Sequence, residues 1–348
     1  MSPTLPALAG AALTAPWGVF EVLLLVTFAA HVLVMNVALG GTLLACCTPG
    51  PRRGAAGALA GRLPTAVAIT VNLGVPPLLF ASVLYGQYLY TAAILSARTW
   101  VSFFLLVMVA YGLLYRFQSR VQAAGATLLS GLAAVLLLSA SLVMTNIATL
   151  SIRPEAWNVA AAMPTGGFFN LADPTFFPRW LHFVLASLAL AGLFLALIKS
   201  RAAGQGDDDA REAMRLGLAW FTRATLVQLA VGTWFLLTLP GKVRHLFLAG
   251  NIPATVILVV GVLLAIMALV HGFRGRPGRA ALYAVATVCF MVVVRDLVRR
   301  MSLAPLFLPE SLPVNAQYGP FFMFLASFLV VAASTVWLVA AHRRAGKE

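Results

Sequence analysis

Long apolar stretches alternate with short polar ones along almost the whole chain. A helix needs roughly 20 apolar residues to cross a hydrocarbon core of about 30 Å. The stretches predict such helices near 18–45, 66–95, 100–115, 126–149, 180–198, 216–239, 254–271, 280–295 and 320–341. The shorter alternating segments of a membrane barrel, about ten residues each, are not visible. The fold class expected is therefore all-α, a polytopic membrane helical bundle of about nine transmembrane helices, making a single integral-membrane domain over 1–348. No internal repeat is visible, which argues against the common transporter folds.

Composition agrees with a bilayer as solvent. Hydrophobic residues make up 61% of the chain and charged ones 10%, against about 45–50% and 25% in soluble domains. A net charge of +14 would fit nucleic acid in a soluble protein. Here the cations collect in alternate connections, so lipid and topology account for them and nucleic acid is not a partner. One set of connections holds 15 Lys and Arg, including Arg52, Arg53, Arg116, Arg274, Arg276, Arg343, Arg344 and Lys347; the other holds 8. That asymmetry predicts an outer N-terminus and a cytoplasmic C-terminus in a bacterial-type inner membrane. Asp207, Asp208 and Asp209 read as a solvated inner loop. The first 16 residues lack a basic leader, so no cleavable signal peptide is expected. Cys46, Cys47 and Cys289 form no CxxC or CxxCH, which excludes covalent c-type haem and zinc ribbons.

Polar groups at membrane depth are costly, so each is a candidate site. His31 lies near the midplane of the first span and His182 near the outer start of the fifth; counted along their spans they differ in depth by about 10 Å. His245 falls in the outer connection GKVRHLFLAGN, His271 at an inner helix end, and His342 in the basic tail. An intramembrane histidine is either a hydrogen-bonded packing residue or a metal ligand, and two in the outer half favour haem ligation. Glu21 and Asp296 are the carboxylates in or beside a span, both at outer ends, so no midplane acid marks a proton relay. Asp296 stands among Arg295, Arg299 and Arg300, either an interfacial ion-pair cluster or a group whose arginines neutralise haem propionates. Pro76-Pro77 should kink the second span.

Five stretches carry a family resemblance: HVLVMNVALGGTLLA in span one, Gly74-Val75-Pro76 in span two, Asn146 closing span four, DPTFFPRWLHFVLA leading into span five, and Asp296 followed by Arg299. In these the chain resembles the large subunit of cytochrome bd-type quinol oxidases. The resemblance implies that His31 is an axial ligand of one haem and His182 a ligand of the low-spin haem. It places Asp296, Arg299 and Asn146 beside haem, one to three haems b in all. His245 is the first candidate for the second low-spin ligand, with Met144 and Met291 behind it. The chain departs from the family in having no glutamates in WVSFFLLVMVAYGLLYRFQ, no long loop between spans six and seven, no methionine in IPATVILVVG, and Asp for Glu at 296.

These losses remove much of what oxygen reduction needs. The function expected is a haem-b-carrying subunit of a bd-like oxidoreductase complex, moving electrons between membrane quinone and an outer-face partner such as a c-type cytochrome, beside a second membrane subunit. A terminal quinol oxidase subunit and a haem-free structural anchor are the alternatives.

Overall fold

The computed structural model describes residues 12–48, 53–123, 125–163 and 165–345. Arg52 and Lys347, and the side chains of Arg53, His342, Arg343 and Arg344, lie outside what it describes. Twelve α-helices follow one another: α1 Trp17–Cys46, α2 Arg53–Ala60, α3 Leu63–Leu95, α4 Ala97–Ser119, α5 Ala126–Leu150, α6 Trp157–Ala161, α7 Phe176–Gly204, α8 Asp208–Thr238, α9 Gly241–His245, α10 Ile252–Phe273, α11 Pro277–Leu303 and α12 Tyr318–Ala345. No strand forms among the described residues, only an isolated bridge between Leu13 and Val314.

Seven of the helices (α1, α3, α4, α5, α7, α10 and α11) are long and apolar enough to cross a membrane. The two other expected spans are present as helices. In α8 the first turns are charged and Arg223 interrupts the apolar run; in α12 the apolar stretch among the described residues is Tyr318–Ser334. Most side chains of α12 from Tyr318 to Val331 are exposed, so it lies at the periphery.

Helix starts follow from local chemistry. Asp207 and Asn251 cap α8 and α10 by accepting from the amides of Ala210 and Ala254 at 2.8 and 3.0 Å. Proline at the first or second position opens α3, α10 and α11, where the missing N–H costs nothing. Inside the spans, hydroxyls such as those of Thr27, Thr42 and Thr70 donate to carbonyls four residues back, each at 2.7 Å. Such bonds leave few polar atoms for lipid to solvate.

The non-helical point in α3 lies eight residues beyond Pro77. Both prolines are accommodated within α3, and the backbone leaves helical geometry at Tyr85, with φ −131° and ψ 25°. Tyr85 is buried and precedes Gly86.

α1 and α7 run parallel and touch closely. Ser187 donates to Asn36 Oδ1 at 2.7 Å, and Leu44 and Leu195, eight residues further along each helix, share one core cluster. A Cβ on Gly40 would overlap the Ser187 carbonyl, so glycine is what allows the approach. The same device joins α7 to α8. A Cβ on Gly192 would stand 2.6 Å from the Gly217 carbonyl oxygen and 2.9 Å from the Phe221 nitrogen.

This register fixes levels. Phe176, the first residue of α7, is eleven positions before Ser187, which matches Leu25 in α1. The start of α7 is therefore sunk about 12 Å below Trp17, the first residue of α1. The segment 151–175 fills the space above it. It contains the 3-10 turn Pro154–Ala156, and Trp157, whose indole donates to the Leu150 carbonyl at 2.9 Å. At the same end, Leu13 and Thr14 pair by backbone hydrogen bonds with residues 313–317, stitching the entry of α1 to the segment after α11. We call this the Trp17 end of the bundle.

Candidate functional site

His31 occupies the middle of α1. Its Nδ1 lies 3.0 Å from the Thr70 carbonyl oxygen of α3. A carbonyl can only accept, so Nδ1 carries the proton and Nε2 keeps its lone pair. The ring rests against Gly74, where a Cβ would stand 3.0 Å from its Cε1. The Gly74-Val75-Pro76 segment thus has a physical role: it leaves room for His31.

His182 stands in the second turn of α7, half-buried, facing α8. A Cβ on Gly232 would lie 3.1 Å from its Cε1, and the Phe235 ring centroid is 6.3 Å away. Its Nδ1 is buried without a hydrogen-bond partner. Gln228, one turn from Gly232 on α8, holds a buried amide oxygen that also has none. A donor and an acceptor are therefore left over on one helix pair.

The expected difference in depth between the two histidines is corrected by the register. Counted from the Asn36–Ser187 hydrogen bond the two lie level, and counted from the closer Gly40–Ser187 backbone approach His182 lies about 6 Å further from the Trp17 end than His31, so His182 is not the shallower of the two. The sequence estimate counted His182 from the start of its own helix, and that start is sunk. What separates the histidines is direction: one ring lies on α3, the other on α8.

Arginines dominate the layers above. On α11, Arg300 binds both carboxylate oxygens of Glu21, at 2.7 and 2.5 Å, pairs with Glu310, and lies over the Trp17 ring at 4.9 Å. Arg299 pairs with buried Asp296 and stacks 4.0 Å over Tyr85. Arg295 lies 4.2 Å over Phe28, whose centroid is 6.3 Å from that of His31. Arg179 of α7 lies 4.9 Å over Phe235, with Nε and Nη2 buried and unpartnered. Arg153 binds Asp173 at 2.9 Å, and the other Asp173 oxygen accepts from the Thr175 amide and hydroxyl.

The remaining expected residues are placed as follows. Asn146 donates to Ser96 Oγ at 3.1 Å and to the Phe168 carbonyl at 2.7 Å, and accepts from the Asn170 amide at 2.7 Å. All of its polar atoms are thus engaged in holding the 168–170 segment. Asn146→Leu should leave a buried amide and carbonyl unpaired and cost about 3 kcal/mol. Thermal unfolding and hydrogen exchange at 168–170 read this; unchanged exchange there would refute the role. His245 is exposed, and its ring lies against the backbone position of Gly250 in its own turn. Met291 packs onto Gly261 of α10, and Met144 is exposed on α5. His271, at the opposite end, stacks on Tyr283 with centroids 5.2 Å apart and interplanar angle 6°.

Sequence reading missed Thr70, Gly232, Gln228 and Arg179. Of these only Arg179 carried a signal, a charge immediately before the predicted fifth span. Among the described residues no three His, Cys, Asp or Glu side chains gather as an ion cage. An axial haem site needs one or two ligands only, so it is the single rings that matter. What the donor set offers such a group is the Nε2 of His31, whose other nitrogen is fixed by a carbonyl; Gly74 and Gly232 let the two rings pack closely on α3 and α8.

The chain matches no protein-family model and no curated protein.

Proposed function

We propose that the chain is a haem-b-carrying membrane subunit of a cytochrome bd-like oxidoreductase complex, passing electrons between membrane quinone and an outer-face partner such as a c-type cytochrome. In this reading α8 and α12 also span, giving nine helices, and the Trp17 end faces outward from a bacterial-type inner membrane, as the Lys and Arg asymmetry predicts. A second membrane subunit covers part of the lipid-length apolar surface.

The observation that carries the reading is the Nδ1 contact of His31 with the Thr70 carbonyl. A ligand gains orientation and basicity from a hydrogen bond on its other ring nitrogen, and this contact leaves Nε2 with its lone pair. His182 is the second iron-binding ring, with Gln228 as the amide that takes its Nδ1 proton after a rotamer change. Haem, when bound, would supply one-electron transfer at its iron. The protein's own part is to hold each ring against a neighbouring helix, to keep water out, and to surround the layer with cations.

Reduced-minus-oxidised spectra with pyridine haemochrome quantification, on protein purified with its native partners, test the reading. Bound b-type haem is the expected result. A folded preparation without haem would leave the structural-anchor alternative, and oxygen uptake with a CO-binding iron would move the reading to a terminal oxidase subunit. His245→Ala is expected to remove the low-spin band if its turn swings to His182; an unchanged band would pass the second axial position to Met144 or Met291.

A further inference from the structure

The turn that joins α10 to α11 lies opposite the Trp17 end and carries Arg274, Arg276 and Arg279, all exposed. The sequence has no acid between Glu212 and Asp296. Among the described residues none of these arginines pairs with a carboxylate. Arg116 and Arg120, exposed at the same end, are equally unpaired, so charge alone singles out nothing.

The backbone of the turn does. The amides of Gly275 and Arg276 bond back to the Gly272 and His271 carbonyls at 3.1 and 3.0 Å, with Gly275 at φ 67°. This Schellman closure puts Arg276 at the cap of α11 and Arg279 in its first turn. Both places favour an anion, because the helix dipole is positive there. An arginine at the cap has no atom to accept with, and the amides of Gly278 and Arg279 are left without an acceptor.

His271 points to the same spot independently. It is 7% exposed, and its Nδ1 is buried without a partner. Its ring stacks on Tyr283, which follows Arg279 by one helical turn. The imidazole therefore stands under the face of α11 that bears Arg279. On the membrane side of the turn, Phe273, Leu282 and Val285 are exposed. Such a surface suits acyl chains, which a soluble anion lacks.

We propose that the α10–α11 turn binds the phosphate of an anionic membrane lipid. The phosphate oxygens accept from the Gly278 and Arg279 amides, the arginines and the imidazole, and the acyl chains lie along Phe273, Leu282 and Val285. The site takes no part in haem binding.

The delipidated full chain in detergent is titrated with dioleoyl phosphatidylglycerol and, separately, with dioleoyl phosphatidylcholine, and bound lipid is counted by native mass spectrometry. The phosphatidylglycerol is expected to bind at least about ten-fold tighter. Arg279→Gln, and His271→Phe, which keeps the Tyr283 stack, are each expected to weaken it about five-fold and leave phosphatidylcholine unchanged. Equal binding of the two lipids would overturn the proposal. So would turn variants that lose no more than Arg116→Gln combined with Arg120→Gln, since diffuse charge would then explain the preference. Competition by inorganic phosphate that removes the bound phosphatidylglycerol would overturn the lipid assignment. A second readout needs no lipid. Arg276→Asp gives α11 a cap acceptor of its own, so it should raise the thermal midpoint of the lipid-free protein and abolish the further rise with phosphatidylglycerol. A midpoint that is lowered or unchanged would count against open amides at the turn, and so against the site.

Discussion

His182→Ala is expected to abolish the low-spin b-type absorbance entirely, while His31→Ala leaves that band and removes a different iron signal. The reason is directional. One ring lies against Gly74 of α3 and the other against Gly232 of α8. A single iron would have to sit between rings that face different neighbours. Alanine at 182 also opens a void beside Phe235, so the thermal midpoint of the haem-free variant serves as a control for folding. Loss of one common signal in both variants would refute the two-centre arrangement. Loss of neither would refute ligation.

Gly40→Val is expected to cost about 3 kcal/mol or more and to deplete folded protein. Any Cβ at 40 overlaps the Ser187 carbonyl, which is backbone and cannot rotate away. Relief requires α1 and α7 to part, and parting breaks the Asn36–Ser187 hydrogen bond as well. Two comparisons bracket the effect. Ser187→Ala deletes only the hydroxyl and should cost about 1 kcal/mol. Gly18→Ala, where an added Cβ meets nothing within 4 Å, should change stability by about 0.5 kcal/mol or less. Monodispersity and thermal midpoint in detergent read all three. A Gly40→Val protein as stable as Gly18→Ala would show that the α1–α7 crossing is not tight in the membrane.

The helices are legible in the sequence because their apolar length is a one-dimensional property. In α8, which falls short of a membrane-crossing composition, charge in the first turns and at Arg223 dilutes that signal. Depth is less legible. His182 reads as shallow from its distance to the start of its own helix, but the start of α7 lies far below that of α1, and only the Asn36–Ser187 register shows it. The non-helical point in α3 escapes for a similar reason. Proline is visible in a sequence, whereas the departure at Tyr85 is not. Asn146 is recognisable as a polar residue at a span end, yet its partners Ser96, Phe168 and Asn170 are 50, 22 and 24 positions away. No local pattern could have named them.

Arg295, Arg299 and Arg300 each rest on an aromatic face, Phe28, Tyr85 and Trp17 in turn. These contacts, with the ion pairs of Arg299 to Asp296 and of Arg300 to Glu21 and Glu310, hold charges of both signs at fixed places, and the Arg299–Asp296 pair lies in packed protein, where mobile counterions enter poorly and screening is weak. Their field at the level of His31 is consequently a built-in constant. A reaction in that layer that gains or loses one unit of charge would have an equilibrium nearly indifferent to ionic strength. The docking of a soluble partner at the exposed Trp17 end would remain as salt-dependent as any surface encounter.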